Sequence, residues 1–152
     1  MAIDLKNTVL GEVLQRTRQI KSPVLWRKVF SDPNLQRWIL DLIRKNQLFK
    51  HGVDEDGVII GFYSPVTQAI NPKKKAGTPY TLFDEGDFYR SMVIYLGTNF
   101  FDIDADPIKG NDNLFKKYGE GIIGLTEESK ERLRRETQRR YAIELRKLLR
   151  IN

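Results

Sequence analysis

Cysteine is absent from this 152-residue chain, and histidine occurs once, at His51. The first absence excludes disulfide bonds, thiolate catalysis and cysteine-ligated zinc, and the second excludes any site that needs two imidazoles. No apolar run approaches the roughly 18 residues of a membrane span, and the first ten residues lack the charged-then-apolar order of a signal peptide. These absences predict a protein made in the cytoplasm with no membrane partner. They favour a binding or structural role over an enzymatic one, although carboxylate chemistry is still open.

Charge is distributed unevenly along the chain. Residues 1–50 carry ten Lys or Arg against four Asp or Glu, residues 51–125 carry seven against eleven, and residues 126–152 carry nine against five. The basic, acidic and basic order suits a nucleic-acid binder, and it suits equally a protein whose copies or neighbours meet through opposite faces. Eight Phe, six Tyr and two Trp supply enough bulky apolar mass for a core. We therefore expect one folded domain over residues 1–152.

Apolar residues at three-to-four spacing predict helices in residues 1–50, the helical N-terminal part of the domain. The first helix is expected after Asp4, a suitable N-cap, with apolar positions from Leu5 to Leu14. Asp32-Pro33 then places a capping residue before a proline at the first helical position. The apolar stripe that follows predicts a helix ending near His51, whose side chain is expected to cap the last carbonyl groups.

The middle of the chain, residues 58–125, is predicted to form a β-rich core. A β-branched and aromatic run predicts a strand over Val58–Tyr63, and two further runs, Met92–Tyr95 and Phe100–Ile103, predict a β-hairpin with a glycine-containing connection. The stretch Ser64–Pro79 contains two internal prolines and three consecutive lysines, and it has no periodicity. It is therefore predicted to be a long exposed loop.

The last part of the chain predicts a long C-terminal helix. A short helical turn is expected over Asn113–Tyr118 and an extended apolar segment over Gly121–Leu125, after which Thr126 is a suitable N-cap for a helix over residues 127–150. Because Leu133 is the only strong hydrophobe between residues 130 and 140, that part of the helix is expected to project into solvent or against a partner. The predicted fold is therefore α+β, with N-terminal helices, a small antiparallel β-sheet with a long loop, and a long C-terminal helix.

Three groups of residues could be taken for catalytic or metal sites. Asp102, Asp104 and Asp106 alternate along a predicted strand, but Pro107 and the lack of a terminal glutamate exclude the calcium-loop pattern, so a solvated strand face is predicted. The acidic residues 54–56 are predicted to form a turn, where adjacent carboxylates are common. His51 with Ser91 and an aspartate could be read as a triad, but no glycine elbow surrounds a serine. No metal and no cofactor are therefore expected.

Basic residues form the strongest candidate for an interaction site. Three of them lie in the predicted loop and others on the predicted C-terminal helix, where they could bind phosphates with little sequence preference. Acidic partners on that helix, four residues before a basic residue, argue instead for a solvated helix surface. The candidate interaction residues are Lys73, Lys74, Lys75, Arg134, Arg135 and Arg139, and the expected helix pairs are Glu128 with Arg132, Glu131 with Arg135, and Glu136 with Arg140.

The segment Tyr80–Ser91, with sequence YTLFDEGDFYRS, resembles a pattern in the tail-completion and virion-morphogenesis proteins of tailed bacteriophages. The segment 118–128, YGEGIIGLTEE, is similar to the closing motif of the same families, a glycine-containing stretch followed by a C-terminal helix. The resemblance covers about residues 60–140. It implies an α+β ring-forming subunit at the head-tail junction, neck or tail terminus, which performs no chemistry.

In those families the first motif is a turn that opens a β-sheet, and its residues here fit such a turn. Gly86 can adopt the positive φ that closes the turn, Asp84 can accept backbone N–H bonds, and Phe88 is expected to anchor the turn in the core, with Ser91 leading into the strand.

The resulting expectation is a phage virion structural protein, made in the host bacterial cytoplasm. Its expected partners are copies of itself and portal, neck or tail proteins. The alternative is a basic accessory protein that binds nucleic acid, and a small carboxylate-dependent enzyme ranks third.

Overall fold

The structure, a computed structural model, describes residues 9–150, and the first helix start predicted at Asp4 and Leu5 lies outside them. The fold is α+β, as the sequence predicts. The helices are α1 (Val9–Gln19), α2 (Ser22–Phe30), α3 (Pro33–Asp41) with a π-helical continuation (Leu42–His51), α4 (Pro65–Ile70), α5 (Asp87–Ser91), α6 (Leu114–Tyr118) and α7 (Glu127–Leu149). The strands are β1 (Val93–Leu96), β2 (Phe101–Asp104), β3 (Ile108–Lys109) and β4 (Asp112–Asn113).

The predicted helix boundaries at Asp32 and Thr126 are confirmed. The Asp32 side chain accepts a hydrogen bond from the Asn34 N–H at 2.9 Å, and Pro33 begins α3. The Thr126 hydroxyl accepts one from the Ser129 N–H at 3.2 Å and caps α7. Each cap satisfies a backbone donor that the first turn of a helix leaves without a partner.

The helix that follows α3 ends differently from the prediction. Gly52, with φ +62°, closes the π-helical segment, and its N–H bonds to the Leu48 carbonyl at 3.0 Å. The capping role predicted for His51 is therefore wrong, because a glycine in the left-handed region lets the backbone itself satisfy the last carbonyl groups.

The strand predicted over Val58–Tyr63 is wrong. Only two isolated antiparallel bridges form there, one from Val53 to Ile59 and one from Phe62 to Pro79. The run is apolar, but most of its large side chains remain exposed, and residues 9–150 provide no continuous partner strand beside it. β-Propensity describes how well a residue fits a half-buried pleated surface, and this segment has no such surface to join.

The predicted loop Ser64–Pro79 contains a helix and is partly folded back on itself. α4 starts after Ser64, whose hydroxyl accepts a hydrogen bond from the Thr67 N–H at 3.1 Å. The Gly77 N–H then bonds to the Tyr63 carbonyl at 2.9 Å, which closes the segment. A six-residue helix is too short to show a 3.6-residue period, so the sequence pattern missed it.

The predicted hairpin is confirmed, with each strand displaced by one residue. β1 and β2 pair antiparallel from Val93 opposite Asp104 to Leu96 opposite Phe101, and β3 and β4 form a second two-stranded sheet. Alternation gives the hairpin two different faces. The inner face packs on the core through Ile94, Leu96, Phe101 and Ile103, and the outer face exposes Val93, Tyr95, Asp102 and Asp104.

The segment predicted to be extended over Gly121–Leu125 begins with a 3-10 helix, Glu120–Ile123, so that prediction is wrong in geometry. Ile122, Ile123 and Leu125 are nevertheless buried, as the apolar character of the segment predicts. A short apolar run is compatible with a strand or a buried helical turn, and periodicity alone does not separate them.

One hydrophobic cluster joins the N-terminal helices, the hairpin and the C-terminal helix. The Phe30 ring stacks on Trp26 with 4.7 Å between centroids and lies 5.4 Å from Phe101 of β2. The cluster contains Val29, Phe30, Leu35, Ile39, Leu40, Leu42, Ile43, Leu48, Phe88, Tyr89, Met92, Ala105, Leu114, Ile122, Ile123, Leu125 and Leu133.

Residues 130–140 of α7 pack on the domain and do not project from it as predicted. Leu133 and Thr137 are buried, and α7 contacts both α1 and α2. Arg140 forms an ion pair with Asp32, and Lys28 forms one with Glu144 at 2.7 Å. The prediction counted only hydrophobic positions, whereas this packing also uses charged pairs between helices that are distant in sequence.

Within residues 9–150, the helices lack the combination of length and apolar character needed to cross a membrane.

Candidate functional site

The turn before α5 has the backbone geometry that the sequence predicts. Gly86 has φ +86°, a value that favours glycine, and Phe88 is only 6% exposed within the core cluster. The turn leads first into α5 and only then into β1. The roles predicted for Gly86 and Phe88 are confirmed, with a one-turn helix between the turn and the strand.

Asp84 has a different role from the predicted one. Its carboxylate forms ion pairs at 3.0 Å with Lys74 and at 3.0 Å with Lys109, and these two lysines hold the pKa of Asp84 below its usual value. The prediction that Asp84 accepts backbone N–H groups in the turn is wrong. Both of its partners come from segments that lie outside the turn, so local turn rules could not identify them. Asp84 thereby connects the segment Ser64–Pro79, which contains α4, to β3.

The Ser91 hydroxyl is fully engaged with the backbone. It donates to the Phe88 carbonyl at 2.8 Å and accepts from the Asp106 N–H at 3.0 Å, which fastens α5 to the chain that leaves β2. His51 lines a 430 Å³ cavity together with Gln47 and Thr126, and Ser91 is not among the residues that line it. The geometry gives Ser91 a structural role.

The acidic residues lie as solvated surface and turn groups. Asp102 and Asp104 are exposed on the outer face of β2, and the Asp106 side chain accepts from the Ile108 N–H at 3.0 Å. The Asp54 carboxylate accepts from the Val58 N–H at 2.9 Å and from the N–H of residue 56, which confirms its turn role. In the part of the chain that the structure describes, no three His, Asp or Glu side chains are grouped as a metal site would require.

The three-lysine run is divided between a packed residue and two exposed ones. Lys74 is half-buried, pairs with Asp84, and places its ammonium 5.9 Å from the centroid of the Tyr63 ring. Lys73 and Lys75 are exposed, and neither forms an ion pair with any residue between 9 and 150. Only two of the three lysines are therefore available to a partner.

The arginines predicted as interaction residues on α7 are mostly paired within the helix. Glu136 binds Arg139 and Arg140, each at 2.7 Å, and the hydrogen bonds from Arg139 in particular lower the pKa of Glu136 to about 2. Glu131 binds Arg134 and not Arg135. Of the three ion pairs expected from the sequence, only the pair of Glu136 with Arg140 forms. Positions three and four residues apart are both neighbours on a helix, and three-residue pairs predominate here.

A basic and aromatic pocket of 330 Å³ lies between the segment Ser64–Pro79, β3 and α6, and the sequence did not predict it. Tyr80 packs edge-on against Tyr63 at 4.9 Å and against Tyr118 at 5.9 Å between ring centroids. Lys74, Lys109 and Lys117 also line it. The first two pair with Asp84, and Lys117 lies 3.7 Å from Asp112, so the ammonium groups are already partly neutralised.

A groove of 310 Å³ lies where α1, α2 and α7 meet, and we call it the three-helix groove. Its apolar lining is Ile20, Val24, Leu25 and Leu148, and its polar lining is Arg16, Gln19 and Lys21. The Arg16 guanidinium donates to the Leu149 carbonyl at 3.0 Å and so joins α1 to the end of α7. The sequence did not predict this groove, because it is formed by residues more than one hundred positions apart.

Comparisons with protein-family models, with curated proteins and with solved structures find no match to this chain.

Proposed function

We propose that this chain is a structural subunit of a tailed-phage virion, which forms a ring at the head-tail junction or the tail terminus. The observation that carries the proposal is the amount of apolar surface left exposed. Among residues 9–150, eighteen large hydrophobic side chains are exposed, against nineteen hydrophobic side chains that are buried. Scattered exposed hydrophobes are normal, but neighbouring ones that form patches mark interaction surfaces.

The exposed hydrophobes are grouped on several surfaces. The three-helix groove has Val24, which is 64% exposed, beside Leu148. The hairpin exposes Val93 and Tyr95 on one face, and α4 exposes Val66 on another part of the molecule. A subunit that contacts two neighbours in a closed ring needs at least two different interaction surfaces, and this distribution of exposed apolar side chains provides them.

The resemblance to tail-completion proteins supports the same proposal. Its main motif contains a glycine with positive φ and a buried aromatic anchor, Gly86 and Phe88. Asp84 and Ser91 also fasten this segment to others, through Lys74 and the Asp106 N–H. Within the segment, Tyr89 donates a hydrogen bond to the Thr81 carbonyl, and burial raises the pKa of Tyr89. Such residues keep surfaces in fixed relative positions, which suits a subunit that assembles.

Mass spectrometry of virions purified from the phage that encodes the chain tests the proposal. We expect the chain in a fixed, small copy number per particle, and native mass spectrometry of the purified protein should show a closed oligomer. Virions that assemble completely and do not contain the chain would contradict the proposed function.

The nucleic-acid alternative predicts a different result for the two exposed lysines. If Lys73 and Lys75 bound phosphates, replacing both with alanine would make the salt dependence of duplex-DNA binding shallower by about 1.8, at roughly 0.9 per contact. We expect instead that the wild type binds random duplex DNA weakly at physiological salt and that the double variant changes this little. Fluorescence anisotropy over a series of salt concentrations measures both quantities, and tight wild-type binding that the variant loses would favour the alternative.

A further inference from the structure

We propose that a cavity between the π-helical segment and the first two turns of α7 binds the phosphate group of a small hydroxylated phosphate ester. Lys50, His51 and Arg132 line this 430 Å³ space, and we call it the His51 cavity. Phosphate is an anion that converging cationic side chains bind through charge-assisted hydrogen bonds. The proposal goes beyond the virion role and does not depend on it.

Arg132 is the residue that carries the proposal. It is half-buried, and within residues 9–150 its side chain forms no ion pair and no hydrogen bond. The four other half-buried Lys or Arg residues of this range each have an acceptor: Arg16 on Glu12, Arg44 on the Met92 carbonyl, Lys74 on Asp84, and Arg140 on Asp32. A guanidinium is always charged and has several N–H donors, so its partial burial without an acceptor costs free energy that an anion would recover.

Glu128, the partner that the sequence predicts for Arg132, does not neutralise it. Glu128 precedes Arg132 by four residues and also lines the cavity, but the two side chains form no ion pair with each other. Elsewhere on α7 the acidic side chains do pair, Glu131 with Arg134 and Glu136 with Arg140. The guanidinium of Arg132 is therefore available to an anion in the cavity.

Lys50 and His51 bring further donors from the opposite wall. Both lie in the last turn of the π-helical segment, both are exposed, and neither side chain forms an ion pair or a hydrogen bond within residues 9–150. The half-buried Asn46 lines the same wall, and its amide also lacks a partner among the described residues. Donors thus approach the cavity from both walls, which suits the several acceptor oxygens of a phosphate group.

Hydrogen bonds between the two walls fix the buried side of the cavity. Gln47 donates to the Gly124 carbonyl at 2.8 Å and accepts from the Thr126 N–H at 3.0 Å, and the hydroxyl groups of Thr126 and Ser129 are 3.1 Å apart. Gln47 and Ser129 are both buried. Because these bonds hold the π-helical segment against the start of α7, the donors need little rearrangement to bind a ligand, which favours affinity.

The size and lining of the cavity favour an ester over the free anion. Its volume lies in the usual range for small-molecule sites and leaves room beside a phosphate group. Asn46 and Glu128 line it and can form hydrogen bonds with hydroxyl groups, whereas no Phe, Tyr or Trp of residues 9–150 lines it to stack on a base. A sugar phosphate matches this chemistry.

Isothermal titration calorimetry with ribose 5-phosphate, inorganic phosphate and ribose tests the proposal on the full chain. We expect ribose 5-phosphate to bind with one site per chain, inorganic phosphate to bind at least about threefold more weakly, and ribose to give no detectable binding. In NMR spectra, ribose 5-phosphate should shift the backbone amides of Gly57 and Ser129, which line the cavity. Equal affinity for the two phosphates would assign the cavity to the free anion and overturn the ester.

Arg132→Gln and Lys50→Gln test the residues. Each should weaken ribose 5-phosphate binding, Arg132→Gln by at least about tenfold, because each loses a charge-assisted hydrogen bond. Arg135→Gln is the matched control. Arg135 lies on the same helix, is exposed, forms no ion pair within residues 9–150 and does not line the cavity, so this variant should bind like the wild type. Circular dichroism and thermal melts verify that all three variants fold.

Three results would overturn the proposal. The first is no saturable binding of either phosphate probe below about 10 mM. The second is equal affinity of the folded Arg132→Gln and Arg135→Gln variants for ribose 5-phosphate. The third is binding of duplex DNA, and not of ribose 5-phosphate, that Arg132→Gln abolishes, which would assign the cavity to a nucleic-acid backbone. A chain that is present in virions and binds neither phosphate probe would retain the proposed function and lose only this site.

Discussion

Replacing Phe88 with alanine should lower the free energy of unfolding by about 3–5 kcal/mol, the range for removing a buried aromatic ring. The side chain is 6% exposed, and its ring lies edge-on to Phe115 at 6.3 Å and to Tyr89 at 6.5 Å between centroids. Truncation would leave a cavity between α5 and α6, next to the turn at Gly86. Urea unfolding followed by tryptophan fluorescence measures the change.

Phe62→Ala is the matched control for this prediction. Phe62 is 53% exposed and contributes only an isolated bridge to Pro79, so its truncation should change the unfolding free energy by less than about 1 kcal/mol. If Phe88→Ala and Phe62→Ala unfold at the same urea concentration, Phe88 is not a core anchor. The segment that carries the resemblance to tail-completion proteins would then lose its structural basis.

The parts of the fold that sequence reasoning found are those that local chemistry determines. Asp32 and Thr126 cap helices because a short polar side chain can reach the backbone N–H groups two or three residues ahead. Gly86 adopts a positive φ because the turn needs it, and the hairpin forms because two β-prone runs flank a short connection. Each of these features depends on residues less than about fifteen positions apart.

The parts that sequence reasoning missed depend on contacts between different structural elements. Asp84 is held by Lys74 and Lys109, and Arg140 of α7 is held by Asp32. Hydrophobic periodicity does not reveal such pairs. Sequence patterns therefore predict a local turn role for Asp84 and an α7 that projects from the domain. The run at Val58 shows the reverse error, since a β-prone sequence without a partner strand forms only isolated bridges.

The sequence selects candidate interaction residues by charge alone, and the structure shows which of those charges are already paired. The sequence indicated opposite charges on different segments and an assembling protein, and it selected the lysine run and the arginines of α7. In the structure Lys74, Arg134 and Arg139 are occupied by carboxylates of the same chain. The charged side chains that form no ion pair within residues 9–150 include Asp102 and Asp104 on the hairpin, Arg18 on α1, and Lys21, which lines the three-helix groove. Internal pairing therefore decides which charges a partner can meet.

Gln47 joins the π-helical segment to the start of α7, and this contact was also invisible in the sequence. The side chain is 3% exposed. Its amide N–H group donates to the Gly124 carbonyl at 2.8 Å, and its amide oxygen accepts from the Thr126 N–H at 3.0 Å. Both backbone groups precede α7, so Gln47 fixes the position from which the C-terminal helix begins.

Gln47→Leu should lower the free energy of unfolding by about 2–4 kcal/mol, because a leucine of similar size leaves two partly buried backbone groups without partners, each at a cost of about 1–2 kcal/mol. Hydrogen exchange at the Thr126 amide should accelerate in the same variant. Gln138→Leu makes the same chemical change at an exposed position of α7 and should alter stability by less than about 0.5 kcal/mol. Urea unfolding of both variants measures the difference; equal midpoints for Gln47→Leu and the wild type would show that Gln47 does not hold the start of α7.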